Sequence, residues 1–141
     1  MLLLCSGVAR SDETGGVREG DLEVVVSGLR NQDGQLLISL YVRAEGFPED
    51  RKIVRKTLVV DDLPKGEASV VFEDLPAGDY AIAILHDEDE NGDMTYRLGI
   101  LPKEGYGFSN NVKPRLKAPS FAETKVDLGV GGKSIEIVVI Y

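Results

Sequence analysis

Short runs in which apolar and polar residues alternate, separated by turn residues, constrain the fold of this chain most. Residues 22–27 alternate in this way, and residues 36–42 repeat the pattern after a turn at 31–34. Alternation with a period of two places one face of a strand against a core. Further runs that favour strands lie at 53–60, 68–72, 80–85, 122–128 and 135–141. The pattern predicts an all-β fold, an antiparallel immunoglobulin-like sandwich of about seven strands without a helix. In such a sandwich, Tyr80 can return its hydroxyl to the backbone of the preceding corner.

The length of the chain and the residues at its start indicate how it is organised. With 141 residues the chain can build one domain with a sizeable core, which we place at residues 21–141. Residues 1–20 are predicted to be a disordered N-terminus or the remnant of a signal peptide, because polar and glycine residues follow the apolar stretch before Cys5. Cys5 is the single cysteine, so no internal disulfide is available. No segment is apolar over enough residues to cross a membrane.

The net charge limits the classes of partner. A formal charge of −8 argues against binding to nucleic acid or to an anionic membrane, because clustered Lys and Arg bind such surfaces. Aromatic residues make up only 6% of the chain, which argues against a broad stacking face for sugars or bases. Lys113, Arg115 and Lys117 form a basic patch that can pack against the acidic residues described next.

The segment after the run at 80–85 is the strongest candidate for a ligand site. It holds five carboxylates within residues 87–93, with no Lys or Arg among them. Held close together, such charges repel one another unless a cation or solvent screens them. Asp87, Asp89 and Asn91 stand at alternate positions and Gly92 permits a sharp turn, as in the first half of calcium-binding loops. Together with Asp93, these three oxygen-bearing residues are the predicted ligands of a structural calcium ion.

A second interpretation of this acidic segment remains open. The twelfth position counted from Asp87 is Leu98, where an EF-hand has a bidentate Glu, and the segment leaves a strand instead of a helix. The segment is therefore not an EF-hand. Asp, Asn and Gly are also the usual residues of a solvated turn between strands. The pattern thus allows either a cation site or an acidic turn.

His86, the single histidine, directly precedes the acidic segment. Without a second histidine or a nearby cysteine, a zinc or iron site is disfavoured. The residue types of a Ser-His-Asp triad are present in the sequence, with Ser109 or Ser120 as the serine and Asp87 as the acid. The Gly-x-Ser-x-Gly motif of a nucleophile elbow is absent. We therefore predict no catalytic residue and treat His86 as a ligand-binding or loop-pinning residue.

Residues 86–119 lack a sustained period and are predicted to form one long functional loop or a pair of loops. Tyr106 and Phe108 lie among glycines in this segment, and Asn110 and Asn111 add two amides. One interpretation is a binding surface on a rigid scaffold. In the other, the two rings plug the open end of the sandwich and the Asn residues cap the loop.

Three motifs carry a resemblance to a known family. They are His86–Asp93, the run Leu98–Asn111 that contains Gly-Tyr-Gly-Phe-Ser-Asn-Asn, and Ala118–Phe121. Over residues 21–141, the chain resembles the domain-of-unknown-function 2141 family of small, mostly exported bacterial proteins. The resemblance implies an extracytoplasmic location, periplasmic or secreted, and an immunoglobulin-like or prealbumin-like sandwich, and it implies no reaction. Members of that family commonly have an Asp where this chain has Thr95, so the set of cation ligands stays open.

Two functions of different classes agree with these residues. The first is a non-enzymatic binding or cell-envelope module, whose partner is a cell-envelope or extracellular protein or a glycan and whose long loop is held by structural calcium. The second is a hydrolytic or carbohydrate-processing accessory enzyme that uses His86 and the neighbouring carboxylates. A concave pocket that joins His86, Asp87, Tyr106 and Asn110 would favour the second function, and a filled, convex loop would favour the first.

Overall fold

The structure is a computed structural model, and it describes residues 19–48, 50, 53–92, 96–97, 101–102, 104–114 and 117–141. Residues 1–18 of the predicted N-terminal segment lie outside the described residues. Asp93, Thr95, Leu98 and Arg115 also lie outside them.

Ten strands form within the described part of the chain. They are β1 (Leu22–Ser27), β2 (Gln35–Tyr41), β3 (Lys56–Val60), β4 (Ala68–Phe72), β5 (Gly78–Asp87), β6 (Tyr96–Arg97), β7 (Leu101–Pro102), β8 (Gly105–Phe108), β9 (Val126–Leu128) and β10 (Lys133–Val138). A 3₁₀ turn at Ser109–Asn111 follows β8, and a short helix, α1 (Phe121–Thr124), precedes β9. Six of the predicted strands are confirmed, those at 22–27 and 68–72 with the predicted ends and the other four with shifted ends. The seventh, at 122–128, is only partly a strand.

The strands form two main sheets. One sheet has the order β10-β1-β4, and the other has the order β3-β2-β5-β8 with β9 beside the first residues of β5. Strands β6 and β7 form a separate two-stranded ribbon. The predicted all-β sandwich is confirmed, but it is not wholly antiparallel, because β10 runs parallel to β1. The immunoglobulin-like or prealbumin-like subtype stays a prediction.

The core lies between the two sheets and follows from the alternation. In β1, Leu22, Val24 and Val26 are fully buried, whereas the residues between them are half-buried on the outer face. Strand β2 repeats this pattern, whereas in β5 Tyr80, Ile82 and Ile84 face this core and Ala81 is buried on the opposite face. Each fully buried Leu, Ile or Val contributes about 1.5–3 kcal/mol relative to an exposed position. Burial of alternate residues therefore holds the two sheets together.

The prediction of a strand across 122–128 is wrong in its first half, where α1 forms. The Ser120 hydroxyl accepts a hydrogen bond from the Glu123 N–H, and the Glu123 carboxylate accepts one from the Ser120 N–H. This is a capping box, and its Ser-x-x-Glu signature is present in the sequence. The hydrogen bonds from Ser120 lower the pKa of Glu123. No described helix is long and apolar enough to cross a membrane.

The prediction of one loop across 86–119 is also wrong in part. Strand β5 extends to Asp87, and residues 105–108 form β8, which pairs antiparallel with β5. The glycines that interrupt the apolar period in this segment hide the strand from the sequence pattern, because glycine is a poor strand former. The long loop is therefore divided by a strand of the main sheet.

We expect Tyr80→Phe to destabilise the sandwich by about 1 kcal/mol, because it removes one buried hydrogen bond. The Tyr80 hydroxyl donates to the Pro76 carbonyl at 2.6 Å, which confirms the predicted corner. Urea denaturation measures the change in the free energy of unfolding. Tyr106→Phe is the matched control, because no hydrogen bond from the Tyr106 hydroxyl is found among the described residues. Equal stability of the two variants would show that the corner bond contributes nothing.

Candidate functional site

Polar side chains at the end of β5 lie on both faces of the five-stranded sheet. Consecutive residues of a strand point to opposite faces, so His86 and Asp87 face different environments. His86 lies opposite Leu36 of β2, which is a core residue. Asp87 lies opposite Gln35, on the outer face. Residues that are adjacent in sequence are thus separated by the sheet.

Three carboxylates, which we call the acidic cluster, meet on the outer face. Asp87, Asp89 and Glu104 each offer an oxygen within 4.8 Å of the others. Asp87 is 0% and Glu104 only 4% exposed, whereas Asp89 is exposed. Glu104 joins the cluster because β8 pairs with β5 so that Gly105 lies opposite His86. The Asp89 N–H also donates to the Glu104 carboxylate at 3.2 Å.

The turn after β5 wraps around the Asp87 carboxylate. This carboxylate accepts hydrogen bonds from the Gly92 N–H at 2.8 Å, the Asn91 N–H at 3.2 Å and the Gln35 amide at 2.9 Å. Glu90 and Gly92 have left-handed backbone angles, φ 59° and φ 85°, which reverse the chain. The contacts hold the loop with its carboxylate oxygens close together. Oxygen donors of this kind suit a hard cation such as calcium or magnesium.

The acidic cluster overlaps only in part with the predicted ligands. Asp87 and Asp89 belong to it, Asn91 donates its backbone N–H to both of them, and Asp93 lies outside the described residues. Sequence reasoning missed Glu104. The signal was its position in the alternation Glu104, Tyr106, Phe108, which places Glu104 on the outer face once residues 105–108 are recognised as a strand.

Glu88 lies between Asp87 and Asp89 in the sequence, but its carboxylate binds residues of the β1–β2 loop and not the acidic cluster. The Arg30 guanidinium donates to its two oxygens at 2.6 and 3.1 Å, and the Asn31 amide donates at 2.7 Å. The hydrogen bond from Arg30 is the main reason that the pKa of Glu88 is lowered. The guanidinium also lies over the Tyr141 ring, 4.5 Å from its centre. Glu88 therefore ties the acidic turn to the β1–β2 loop and to the end of the chain.

His86 is fully buried, and both of its ring nitrogens have partners. Nε2 lies 2.7 Å from the Asp33 carbonyl, which can only accept, so Nε2 carries a proton. Nδ1 lies 2.7 Å from the Tyr141 hydroxyl and shares a hydrogen bond with it. That hydroxyl accepts in turn from the Arg30 N–H at 3.1 Å, and burial raises the pKa of Tyr141. His86 thus connects β5 to two other segments.

Tyr106 and Phe108 cover the outer face of the five-stranded sheet instead of plugging the end of the sandwich. Alternation along β8 turns both rings to that face, where they belong to a second apolar cluster with Tyr41, Phe47, Ala81 and Phe121. Gly105 and Gly107 face inward, against the side chains of Tyr141 and Ile137. These glycines allow the last residues of the chain to pack directly on β8.

Asn110 and Asn111 bind neighbouring backbone. Both have left-handed φ angles, 63° and 53°. The Asn110 amide donates to the Lys125 carbonyl at 3.0 Å. Asn111 contacts β10 twice, since its amide oxygen accepts from the Val138 N–H at 2.8 Å and its amide donates to the Glu136 carbonyl at 3.2 Å. The two amides are engaged in holding the segment after β8.

The four residues of the enzymatic alternative do not converge on one pocket. His86 faces the interior, Asp87 and Tyr106 lie on the outer face, and the Asn110 amide is bonded to backbone. Lys113 and Lys117 of the basic patch form no ion pair with the acidic cluster among the described residues.

Comparison with known proteins identifies a family. A family model described as "Uncharacterized protein conserved in bacteria (DUF2141)" matches residues 24–136. The match covers most of the 141 residues, so the chain belongs to this family. No curated protein and no solved structure matches the chain significantly.

We expect Gly107→Ala to destabilise the protein by about 1–3 kcal/mol, because overpacking of a filled interior has this effect. A Cβ at this position would lie 2.8 Å from the Ile137 side chain and 3.2 Å from the Val138 carbonyl. Gly129→Ala is the control, since nothing lies within 4 Å of a Cβ there. Urea denaturation compares the two variants, and equal stabilities would contradict close packing of β10 on β8.

We expect Arg30→Met to reduce the loss of stability in acid. The pKa of Glu88 lies below its ordinary value of 4.5 in the folded protein, so its stabilising contribution is present above that pH and is lost as pH falls through the lowered value. Removal of Arg30 takes away the main cause of the shift. The measurement is the free energy of unfolding at a series of pH values below 4.5.

Lys125→Met is the control for the loss of one positive charge. Lys125 and Asp79 form an exposed ion pair at 3.6 Å, which contributes little to stability. In this variant, the free energy of unfolding should fall with decreasing pH as it does in the wild type. If Arg30→Met also keeps this pH dependence, Glu88 is not the group that titrates.

Proposed function

We propose that this family member is a non-enzymatic, exported binding module of the bacterial cell envelope. In this proposal, a structural calcium ion at the acidic cluster fastens the end of β5 to β8. The partner is a cell-envelope or extracellular protein or a glycan. The net charge of −8 supports this choice, because it disfavours nucleic acid and anionic membranes.

The observation that carries the proposal is the meeting of Asp87, Asp89 and Glu104 within 4.8 Å. They come from the end of β5, the turn after it and the residue before β8, so one ion would join three segments. Calcium takes six to eight oxygen ligands, and water completes the set where protein oxygens are few. Calcium sites of extracellular modules in general have dissociation constants of about 10⁻⁴–10⁻³ M. Such weak affinity suits the extracytoplasmic location implied by the family resemblance.

The environment of His86 weighs against the enzymatic alternative. A general base must reach the proton that it removes, directly or through one water. His86 is 0% exposed, and its two nitrogens are occupied by the Asp33 carbonyl and the Tyr141 hydroxyl. These contacts support a structural role for the histidine.

We expect calcium at about one hundred times its dissociation constant to stabilise the protein by about 2.7 kcal/mol relative to a chelator. This corresponds to a rise in Tm of about 5–15 °C for a domain of this size. Asp89→Asn should abolish the rise, because it removes a ligand charge from the cluster.

Glu90→Gln is the matched control, because Glu90 is exposed and adjacent to the cluster but does not belong to it. This variant should keep the full calcium shift, whereas Glu104→Gln should lose it. No shift in the wild type would refute the calcium site. If Glu90→Gln and Asp89→Asn lose the calcium-dependent rise in Tm equally, calcium screens acidic charge in general and does not bind a specific site.

A further inference from the structure

The sandwich is closed along one side by the end of the chain. Just after β10, Ile140 exchanges two backbone hydrogen bonds with Tyr106 of β8, at 2.9 and 2.8 Å. This bridge joins the β10 edge of one sheet to the β8 edge of the other. On the opposite side, β3 and β4 are the last strands of their sheets, and no other strand among the described residues pairs with them there.

Strand β3 presents apolar residues at this open side. Val59 is 53% exposed on the outer face, and Leu58 and Val60 are only partly buried against the core. An edge strand also presents backbone N–H and C=O groups that can pair with another strand. β3 therefore combines the two features used in strand addition, which are a bonding edge and apolar side chains.

Charges of opposite sign flank β3 at its two ends. Arg55 and Lys56 stand at its start, and Asp61 and Asp62 follow its last residue. All four are exposed. None of them takes part in an ion pair between described residues. The strand is therefore basic at one end and acidic at the other, with both charges left for an external partner.

We propose that β3 pairs antiparallel with β3 of a second copy of this chain. A two-fold axis perpendicular to the sheet keeps the outer faces of the two copies on the same side. The register that pairs all five residues of β3 is centred on Leu58, which then lies opposite its copy. In that register, Arg55 of each chain faces Asp61 of the other, outside the ends of the strand. The five-stranded sheet continues across the dimer.

Charge complementarity favours a second copy over an unrelated partner. Antiparallel pairing places the basic end of one β3 against the acidic end of the other at both ends of the contact, whereas parallel pairing would oppose like charges. The net charge of −8 repels two copies in general, so association requires a local contact of this kind. A five-residue strand buries less area than a standard interface, and the dimer is accordingly weak.

The test is sedimentation equilibrium of the full chain at concentrations from about 1 μM to 1 mM, the range in which a weak dimer dissociates. We expect a reversible monomer–dimer equilibrium. Arg55→Asp should raise the dissociation constant about tenfold or more, because two attractive contacts become repulsive. Asp61→Arg should have the same effect, and the double variant Arg55→Asp/Asp61→Arg should restore the dissociation constant of the wild type.

Lys133→Asp is the matched control, because it makes the same change of charge at an exposed position of β10 in the other sheet. It should leave the dissociation constant unchanged. A wild type that stays monomeric at the highest concentration would overturn the proposal and leave β3 to a different partner. The proposal would also be overturned if neither Arg55→Asp nor Asp61→Arg changed the dissociation constant of the dimer. It would equally be overturned if the double variant did not restore the dissociation constant of the wild type.

Discussion

Strand β5 is hydrogen-bonded along both of its edges, and the rest of the structure depends on this. Strand β2 pairs with it over seven residues, while β8 and β9 pair with its two ends on the other side. Its side chains are buried on both faces, with Tyr80 and Ile82 in the main core and Ala81 in the second apolar cluster. A slip of one residue would reverse every side chain, so this register is strongly specified. The chemistry at the end of β5 follows from that register.

The five-stranded sheet separates His86 from Asp87. His86 is sealed inside by the Asp33 carbonyl and the Tyr141 hydroxyl, whereas Asp87 meets Glu104 on the outer face. A histidine next to Asp87 would suggest acid–base chemistry, but here the sheet lies between His86 and the acidic cluster. What remains together is a group of carboxylate oxygens in a turn whose backbone folds around one of them.

Much of the fold was predictable, because alternation and turn residues are local signals. Strands β1, β2 and β4 fall where the alternation predicts them. The two elements that the sequence did not predict, α1 and β8, also have local causes. The capping box of Ser120 and Glu123 starts α1 within the run whose alternation predicts a strand. Strand β8 was missed because its glycines, which β10 requires for close packing, remove the apolar signal.

The sequence by itself determined which residues can face the core and where the acidic turn lies, since the period of a strand and the conformations open to Asp, Asn and Gly are local properties. Only the tertiary structure decided that Glu104 joins Asp87 and that Glu88 leaves the cluster for Arg30. Both facts depend on the register between segments that are distant along the chain. No local pattern encodes that register, because it is set by how the two sheets pack and by which edges are paired.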